Sequence, residues 1–258
     1  MLKIISASRR VDMVGFYPEK LISTLNERVP PEKVHTIVIW TKNPLNLIYH
    51  KNLRRTLKKY SQIFILLSIT GMGGTSLEKG IPKTEKIYEI LPHLIEFVKS
   101  PHRINIRFDP IVKLLREDKV YLNYQFFPEI VKNCKKYGIK TFITSFMDVY
   151  PHVERNLKRY GITPLEFKEE EKRKIIEFLK KTSERENIEL LWCAEKNLTT
   201  RGCIDGKLLN SLHPEGIKTT TEKASGQRQF CMCTKSWDIG WYYKCGGKCL
   251  YCYGNPDI

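Results

Sequence analysis

The sequence predicts an α/β fold in which parallel strands form a (β/α) barrel, either TIM-like or partial. Short runs rich in β-branched and aromatic residues alternate with amphipathic, basic stretches, which is typical of βαβ units and a parallel sheet. The chain has 258 residues, an ordinary length for a single barrel. No G-x-G-x-x-G motif follows the first strand, which counts against the competing architecture, an open sheet that binds a dinucleotide.

Each element follows from a local pattern. The strands are short apolar runs, and they begin at Lys3, His35, Gln62, Arg103, Lys140 and Ile188. The helices are amphipathic stretches with proline in the first turn or glycine after the last turn, and they are predicted at residues 18–27, 44–60, 83–99, 122–137 and 169–186.

The periodic pattern is lost after residue 193. We predict one domain over residues 1–258, with an irregular cysteine-containing segment at 194–236. The run "SWDIGWYY" then predicts a last strand, and a cysteine loop follows it directly, so that residues 237–258 form a strand and a loop.

Composition limits the class of partner. The formal net charge is +16, which favours nucleic acid or another polyanionic substrate. The basic residues are spread along the predicted helices, as on a lysine-rich or thermophilic surface, and this weakens the case for nucleic acid. No apolar run approaches the ~20 residues of a membrane span, and no signal peptide is recognisable. We therefore expect a cytoplasmic protein without membrane contact, in which clustered cysteines bind metal or act as catalytic thiols rather than form disulfides.

Polar side chains follow every predicted strand. In parallel α/β folds the carboxyl ends of the strands carry the site, so together these side chains predict a pocket for a polar, charged small molecule. Loops also begin at strand ends and are polar in any protein, and Arg107 with Asp109 can form a structural ion pair. The candidates are Arg9, Arg10, Asp12, Thr41, Lys42, Asn43, Ser68, Thr70, Arg107 and Asp109.

The cysteines fall into two sets. Cys245, Cys249 and Cys252 have the spacing C-x-x-x-C-x-x-C, and three thiolates can hold three irons of a 4Fe–4S cluster while the fourth iron stays open. Cys134 stands alone in a helix and is interpreted as a core residue. The remaining four suffice for a second centre, an auxiliary Fe–S cluster ahead of a zinc ion; they are Cys193, Cys203, Cys231 and Cys233.

The motif "CGGKCLYCY" resembles the signature of the radical S-adenosylmethionine (SAM) enzymes. The resemblance implies a parallel barrel, a 4Fe–4S cluster on the three cysteines, SAM on the open iron, an electron donor and a 5′-deoxyadenosyl radical. It implies that Tyr251 lies near the adenine, and we expect cofactor contacts from the strand-end residues Thr41, Lys42, Asn43, Ser68, Thr70, Arg107 and Asp109. Arg9, Arg10 and Asp12 are predicted to bind substrate.

The position of the loop departs from that superfamily. The loop normally follows the first strand, whereas here it follows the last predicted one. A circular permutation, with "SWDIGWYY" beside the N-terminal strand, would still bring the cysteines to the carboxyl end of the barrel.

Further motifs along nearly the whole chain resemble a domain-of-unknown-function family of bacterial and archaeal proteins with such a C-terminal motif. They are SASRR, WTKNP, SITG, RFDPI, GCIDG, CMC, SWDIG and CLYCYGNP. "TKNP" and "RFDP" are also weakly similar to strand-end motifs of spore photoproduct lyase-like enzymes. The main hypothesis is therefore radical SAM chemistry on an unknown substrate. The alternative is a zinc-binding, basic nucleic-acid-binding module without catalytic activity.

Overall fold

A computed structural model describes all 258 residues and contains ten strands. Seven of them form one parallel sheet in the order β10-β1-β2-β3-β4-β7-β9, and three form a small antiparallel sheet in the order β6-β5-β8. The strands are β1 (Lys3–Ala7), β2 (Val34–Thr41), β3 (Ile63–Ser68), β4 (Ile104–Ile111), β5 (Lys113–Arg116), β6 (Lys119–Leu122), β7 (Thr141–Phe146), β8 (Thr163–Pro164), β9 (Glu189–Trp192) and β10 (Trp237–Asp238).

The helices fill the connections between these strands. They are α1 (Met13–Phe16), α2 (Pro18–Arg28), α3 (Leu45–Tyr49), α4 (Lys51–Leu57), α5 (Thr84–Val98), α6 (Phe127–Lys135), α7 (Pro151–Arg159), α8 (Glu169–Glu186) and α9 (Gly206–Leu212). No helix combines the length and the hydrophobicity that a membrane span needs.

The last strand of the chain lies beside the first. Ile5 pairs with Trp237 and Ser6 with Asp238, both in parallel register. The expected neighbourhood of these strands is thus present, although only two residues of "SWDIGWYY" belong to the strand.

The predicted α/β fold with a parallel sheet is confirmed, but the pairings do not close a barrel. They form a single row that ends at β10 on one side and at β9 on the other. A TIM barrel closes with eight strands, whereas this sheet has seven, and its two edge strands have only two and four residues.

The sheet buries both of its faces, as parallel sheets do. Ile37 and Ile39 face the main core of 41 buried residues, which the helices share. Val38 lies between them and points to the opposite face, into a second core of 11 buried residues. That second core contains Cys203 and Leu209, so the irregular cysteine-bearing segment covers the face that the helices leave free.

Several element boundaries differ from the prediction. The helix predicted at 44–60 is two helices, because the ring of His50 caps the second one by accepting a hydrogen bond from Leu53 N. The helix predicted at 122–137 begins only at Phe127. The residues before it form the hairpin of β5 and β6, whose turn residues Glu117 and Asp118 adopt positive φ. Helices α7 and α9 were not predicted.

Candidate active site at the carboxyl edge of the sheet

The cysteine loop that follows β10 is held against the loop after β3. Gly80 N donates to Gly247 O at 3.1 Å, and Leu250 N donates to Leu77 O at 3.1 Å. A side chain at Gly80 would overlap the carbonyl oxygen of Gly246, so glycine permits this close approach of two backbones. The result is a docked loop rather than a free tail.

Hydrogen bonds within the C-terminal segment fix the loop further. Cys245 N donates to Asn255 O at 2.7 Å, and Asp257 N donates to Cys245 O at 3.0 Å. Gly254 N donates to the Sγ atom of Cys252 at 3.3 Å, the kind of N–H contact that stabilises a thiolate.

The three thiols of this loop are largely withdrawn from water. Burial raises the pKa of Cys245 to about 11, with the charge of Asp12 adding to the effect. Burial also raises the pKa values of Cys249 and Cys252, and nearby Lys42 opposes the rise at both. Without a metal these sulfurs are therefore thiols, and a bound cation would be needed to hold them as thiolates.

A buried ion pair lies next to the thiols. Lys42 Nζ is 2.7 Å from Glu78 Oε1, and the side chain of Glu78 is only 1% exposed. Burial lowers the pKa of Lys42, but the charge and the hydrogen bond of Glu78 raise it, and the pKa lies above its usual value. Lys42 is thus a fixed cation beside two of the three sulfurs.

Two hydroxyl groups complete the surroundings of Glu78. Thr70 Oγ1 donates to Glu78 Oε1 at 2.8 Å, and the Tyr251 hydroxyl also hydrogen-bonds to this oxygen. Lys42 Nζ is 3.0 Å from the Tyr251 hydroxyl and lies over its ring, 5.5 Å from the centroid. Residues from β2, from the loop after β3 and from the cysteine loop therefore meet in one polar cluster.

Asp12 positions the end of β2. One of its carboxylate oxygens accepts hydrogen bonds from Thr41 Oγ1, Lys42 N and Asn43 N at 2.8–3.0 Å, and the other accepts from Gly15 N at 2.8 Å. Burial raises the pKa of Asp12, and these four donors oppose the rise. Both oxygens of Asp12 thus bind groups of the protein itself. Its predicted contact with substrate stays a prediction.

Asp238 performs the same task between β1 and β10. It accepts hydrogen bonds from Ser6 Oγ, Ser8 Oγ and Arg9 N at 2.9–3.1 Å. Trp40 Nε1 donates to Ser6 Oγ at 3.0 Å and thereby links β2 to the same group. Asp238 could not be singled out by sequence reasoning, because a carboxylate inside a predicted strand looks like any solvent-facing residue.

Arg107 and Trp40 pack together at the carboxyl edge of the sheet. The guanidinium of Arg107 stacks over the Trp40 ring at 4.7 Å, and that of Arg9 lies 5.4 Å from the same ring. Arg107 pairs with Asp109, which also accepts a hydrogen bond from Ser145. The ion pair considered from the sequence is thus present.

The four other clustered cysteines lie around the irregular segment. The Sγ atoms of Cys193 and Cys203 are 3.4 Å apart. Cys203 and Cys231 lie close enough to Cys233 to influence the pKa of its thiol. As they stand, no three or more His, Cys, Asp or Glu side chains anywhere in the chain are arranged to hold a metal ion.

Comparison with known proteins gives one result. The chain matches the model of a family described as a domain of unknown function, DUF1848, over residues 4–254. The chain belongs to this family. Neither the curated proteins nor the solved structures include a match to it. The predicted membership in a family of unknown function is confirmed, while the resemblance to radical SAM enzymes and to spore photoproduct lyase-like enzymes stays a prediction.

In this DUF1848 chain most predicted strand-end residues meet at one edge. Ser68 lines a small cavity together with Lys42, Thr70 and Glu78. Arg10 differs: its guanidinium donates to Gly240 O at 3.3 Å and stacks over the exposed Tyr242 ring at 5.0 Å. It lies toward the outer rim of the edge.

Two members of the site escaped prediction from the sequence. Glu78 stands in a loop, "TSLEKG", where no strand-end or motif signal marks it. Glu195, just beyond β9, was not among the candidate residues either; its carboxylate accepts a hydrogen bond from Phe146 N at 2.8 Å, and burial raises its pKa.

Proposed function

We propose that this protein is a radical SAM enzyme that binds a 4Fe–4S cluster through Cys245, Cys249 and Cys252 and binds SAM beside that cluster. One observation carries the proposal: the three-cysteine loop packs against strand-end residues that were predicted, apart from the cysteine motif, to line a pocket for a polar, charged small molecule. Lys42 and Tyr251, which are 209 positions apart in the chain, are in hydrogen-bond contact there. The carboxyl edge of a parallel sheet is where α/β enzymes bind their ligands.

The donor chemistry fits such a group. The loop offers three sulfur ligands, and a cluster held by three cysteines keeps one iron open. No fourth cysteine lies in the loop, and Gly247 allows tight wrapping, since a Cβ there would already reach 3.0 Å from Ile81. When bound, the cluster and SAM would supply the 5′-deoxyadenosyl radical for hydrogen abstraction.

The chain's own residues would orient the ligands and exclude water. Lys42 would offset negative charge near Cys249 and Cys252, and Glu78 would hold the ammonium of Lys42 in place. Tyr251 would present its ring to a flat ligand group, while its hydroxyl is fixed by Glu78. Arg9 and Arg107, both stacked on Trp40, would favour an anionic substrate.

Anaerobic reconstitution tests this function. The wild-type chain should take up about four iron and four sulfide at this site, its electron paramagnetic resonance spectrum should change when SAM is added, and 5′-deoxyadenosine should form with a reductant. The Cys245→Ser, Cys249→Ser, Cys252→Ser triple variant should lose all three signals. Cys134→Ser is the matched control, because Cys134 is buried alone in α6. Iron-free wild-type protein after reconstitution would contradict the proposal.

A further inference from the structure

Backbone contacts bring Cys193, Cys203, Cys231 and Cys233 together. These contacts involve other residues than those of the proposed SAM site. Thr234 N donates to Ile204 O at 2.8 Å, which joins the "GCIDG" turn to the "CMC" strand-like segment. A side chain at Gly202 would overlap the Cα atom of Cys233, so the two segments approach as closely as glycine permits. Cys193 N donates to Thr144 O at 2.8 Å and so extends from the sheet itself.

The four sulfur atoms lie near one another. Cys193 and Cys203 are in contact at 3.4 Å, and Cys203 and Cys231 are close enough to Cys233 to influence the pKa of its thiol. Cys203, Cys231 and Cys233 are each less than 10% exposed. Thiols are weak hydrogen-bond partners, so four of them gathered in the interior stabilise the fold little by themselves.

Donors and cations surround the four sulfurs. Ile204 N donates to Cys233 Sγ at 3.5 Å, and the guanidinium of Arg228 donates to Cys193 Sγ at 3.5 Å. Arg107 is close enough for its charge to act on Cys193 and Cys203, and Arg9 acts on Cys233. Two of these cations also have carboxylate partners: Arg228 is 2.7 Å from Asp148, and Arg107 pairs with Asp109. The arginines and the N–H donor suit a centre with net negative charge, such as four thiolates bound to one divalent ion.

We propose that Cys193, Cys203, Cys231 and Cys233 form a structural centre for a single tetrahedral metal ion, zinc. With Zn–S bonds of about 2.3 Å, tetrahedral geometry puts neighbouring sulfurs roughly 3.8 Å apart, close to the 3.4 Å between Cys193 and Cys203. A cubane cluster separates its cysteines much further, because each binds a different iron. The sulfur spacing therefore favours zinc over the auxiliary iron–sulfur cluster that the cysteine count alone favoured.

The ion has a structural role at this position. The segment that carries Cys203, Cys231 and Cys233 covers one face of the parallel sheet and has a single short helix, α9. Metal ligation would fix this segment to the end of β9 through Cys193, in place of a larger apolar core. The side chains must turn toward a common centre to bind the ion, since their present arrangement does not yet form a ligand set.

The test uses the Cys245→Ser, Cys249→Ser, Cys252→Ser triple variant, in which the cysteine loop (here called the SAM loop) has no thiols. After purification with zinc, it should contain about one zinc per chain, and cobalt(II) in place of zinc should give the absorption of tetrahedral thiolate coordination. The further change Cys193→Ser should abolish or shift that absorption, whereas Cys134→Ser should leave it unchanged. Cys193 is half-buried, so this variant perturbs packing less than changes at the other three sites.

Three outcomes would overturn the proposal. The first is a triple variant that binds no metal. The second is one that binds iron and sulfide in equal amounts instead of zinc. The third is a disulfide between Cys193 and Cys203 after purification without oxidant. Mass spectrometry after alkylation would detect it, because these two cysteines would carry no alkyl group. Because all of these measurements use a chain without the SAM-loop thiols, their result is independent of whether the radical SAM function holds.

Discussion

Replacing Lys42 with methionine should destabilise the chain by about 3 kcal/mol. The Lys42–Glu78 contact of 2.7 Å corresponds to a gross attraction of about 6 kcal/mol at an effective dielectric constant of about 20. Removing one partner of a buried pair typically costs about 3–5 kcal/mol, because the other charge stays buried without compensation. Glu78 is 1% exposed but Lys42 is 19% exposed, which places the expected cost at the lower end.

Urea unfolding of the metal-free, reduced chain, followed by circular dichroism, measures this cost. With a slope of about 3 kcal/mol per molar urea, the midpoint should fall by about 1 M. The Glu78→Gln change should recover part of the loss in the Lys42→Met background, since a neutral carboxamide does not need the ammonium. Lys86→Met is the control, because the Lys86–Glu89 pair is exposed and screened by water, so its loss should leave the urea midpoint almost unchanged.

Two results would refute the reasoning. One is a Lys42→Met cost as small as that of Lys86→Met. The other is strict additivity of the Lys42→Met and Glu78→Gln costs, which would mean that the two side chains are not energetically coupled.

Three further predictions concern the cysteine loop and the histidine pair His35 and His213. If both proposed metal sites exist and are independent, cutting the chain before Cys245 should remove the iron–sulfur cluster but keep zinc at the second centre. Metal analysis tests this, and loss of both metals would contradict independent sites. Gly80→Ala should destabilise loop docking by about 1–3 kcal/mol through overlap with Gly246 O, seen as faster proteolysis after β10, and an unchanged cleavage rate would contradict this close packing. Burial lowers the pKa values of the stacked His35 and His213 below 6.5, so the unfolded state takes up protons first as pH falls. Stability should therefore decline below about pH 6.5, and His35→Gln should flatten that decline in pH-dependent unfolding.

The strands and the main helices could be predicted because their burial is periodic. Ile37, Val38 and Ile39 are apolar in succession, as in a strand buried on both faces, and α8 begins and ends at the predicted residues. The hairpin of β5 and β6 was missed because its turn is Glu117–Asp118 rather than a glycine-containing pair. A barrel was predicted because the number of strands can be counted in a sequence. Whether the two edge strands pair with each other and close the sheet cannot be read from it.

The candidate site was predictable where it coincides with strand ends. Thr41 ends β2, and Lys42 and Thr70 lie just beyond strands; Lys42 and Thr70 both contact Glu78, which also bonds to Tyr251 of the cysteine loop. Glu78 could not be found this way, because it belongs to a loop and its role depends on a lysine 36 positions earlier. Long-range contacts of this kind have no local sequence signal.

The pairing of β10 with β1 also fixes the order in which the site can form. Ser8 and Asp238 are 230 positions apart in the chain. At about 5–20 residues per second, the ribosome makes Asp238 roughly 10–50 s after Ser8. During that interval one edge of β1 has no strand to pair with, and exposed edges invite pairing with other chains. The N-terminal strand β1 of the nascent protein is therefore fully paired only after the last strand, β10, has been made.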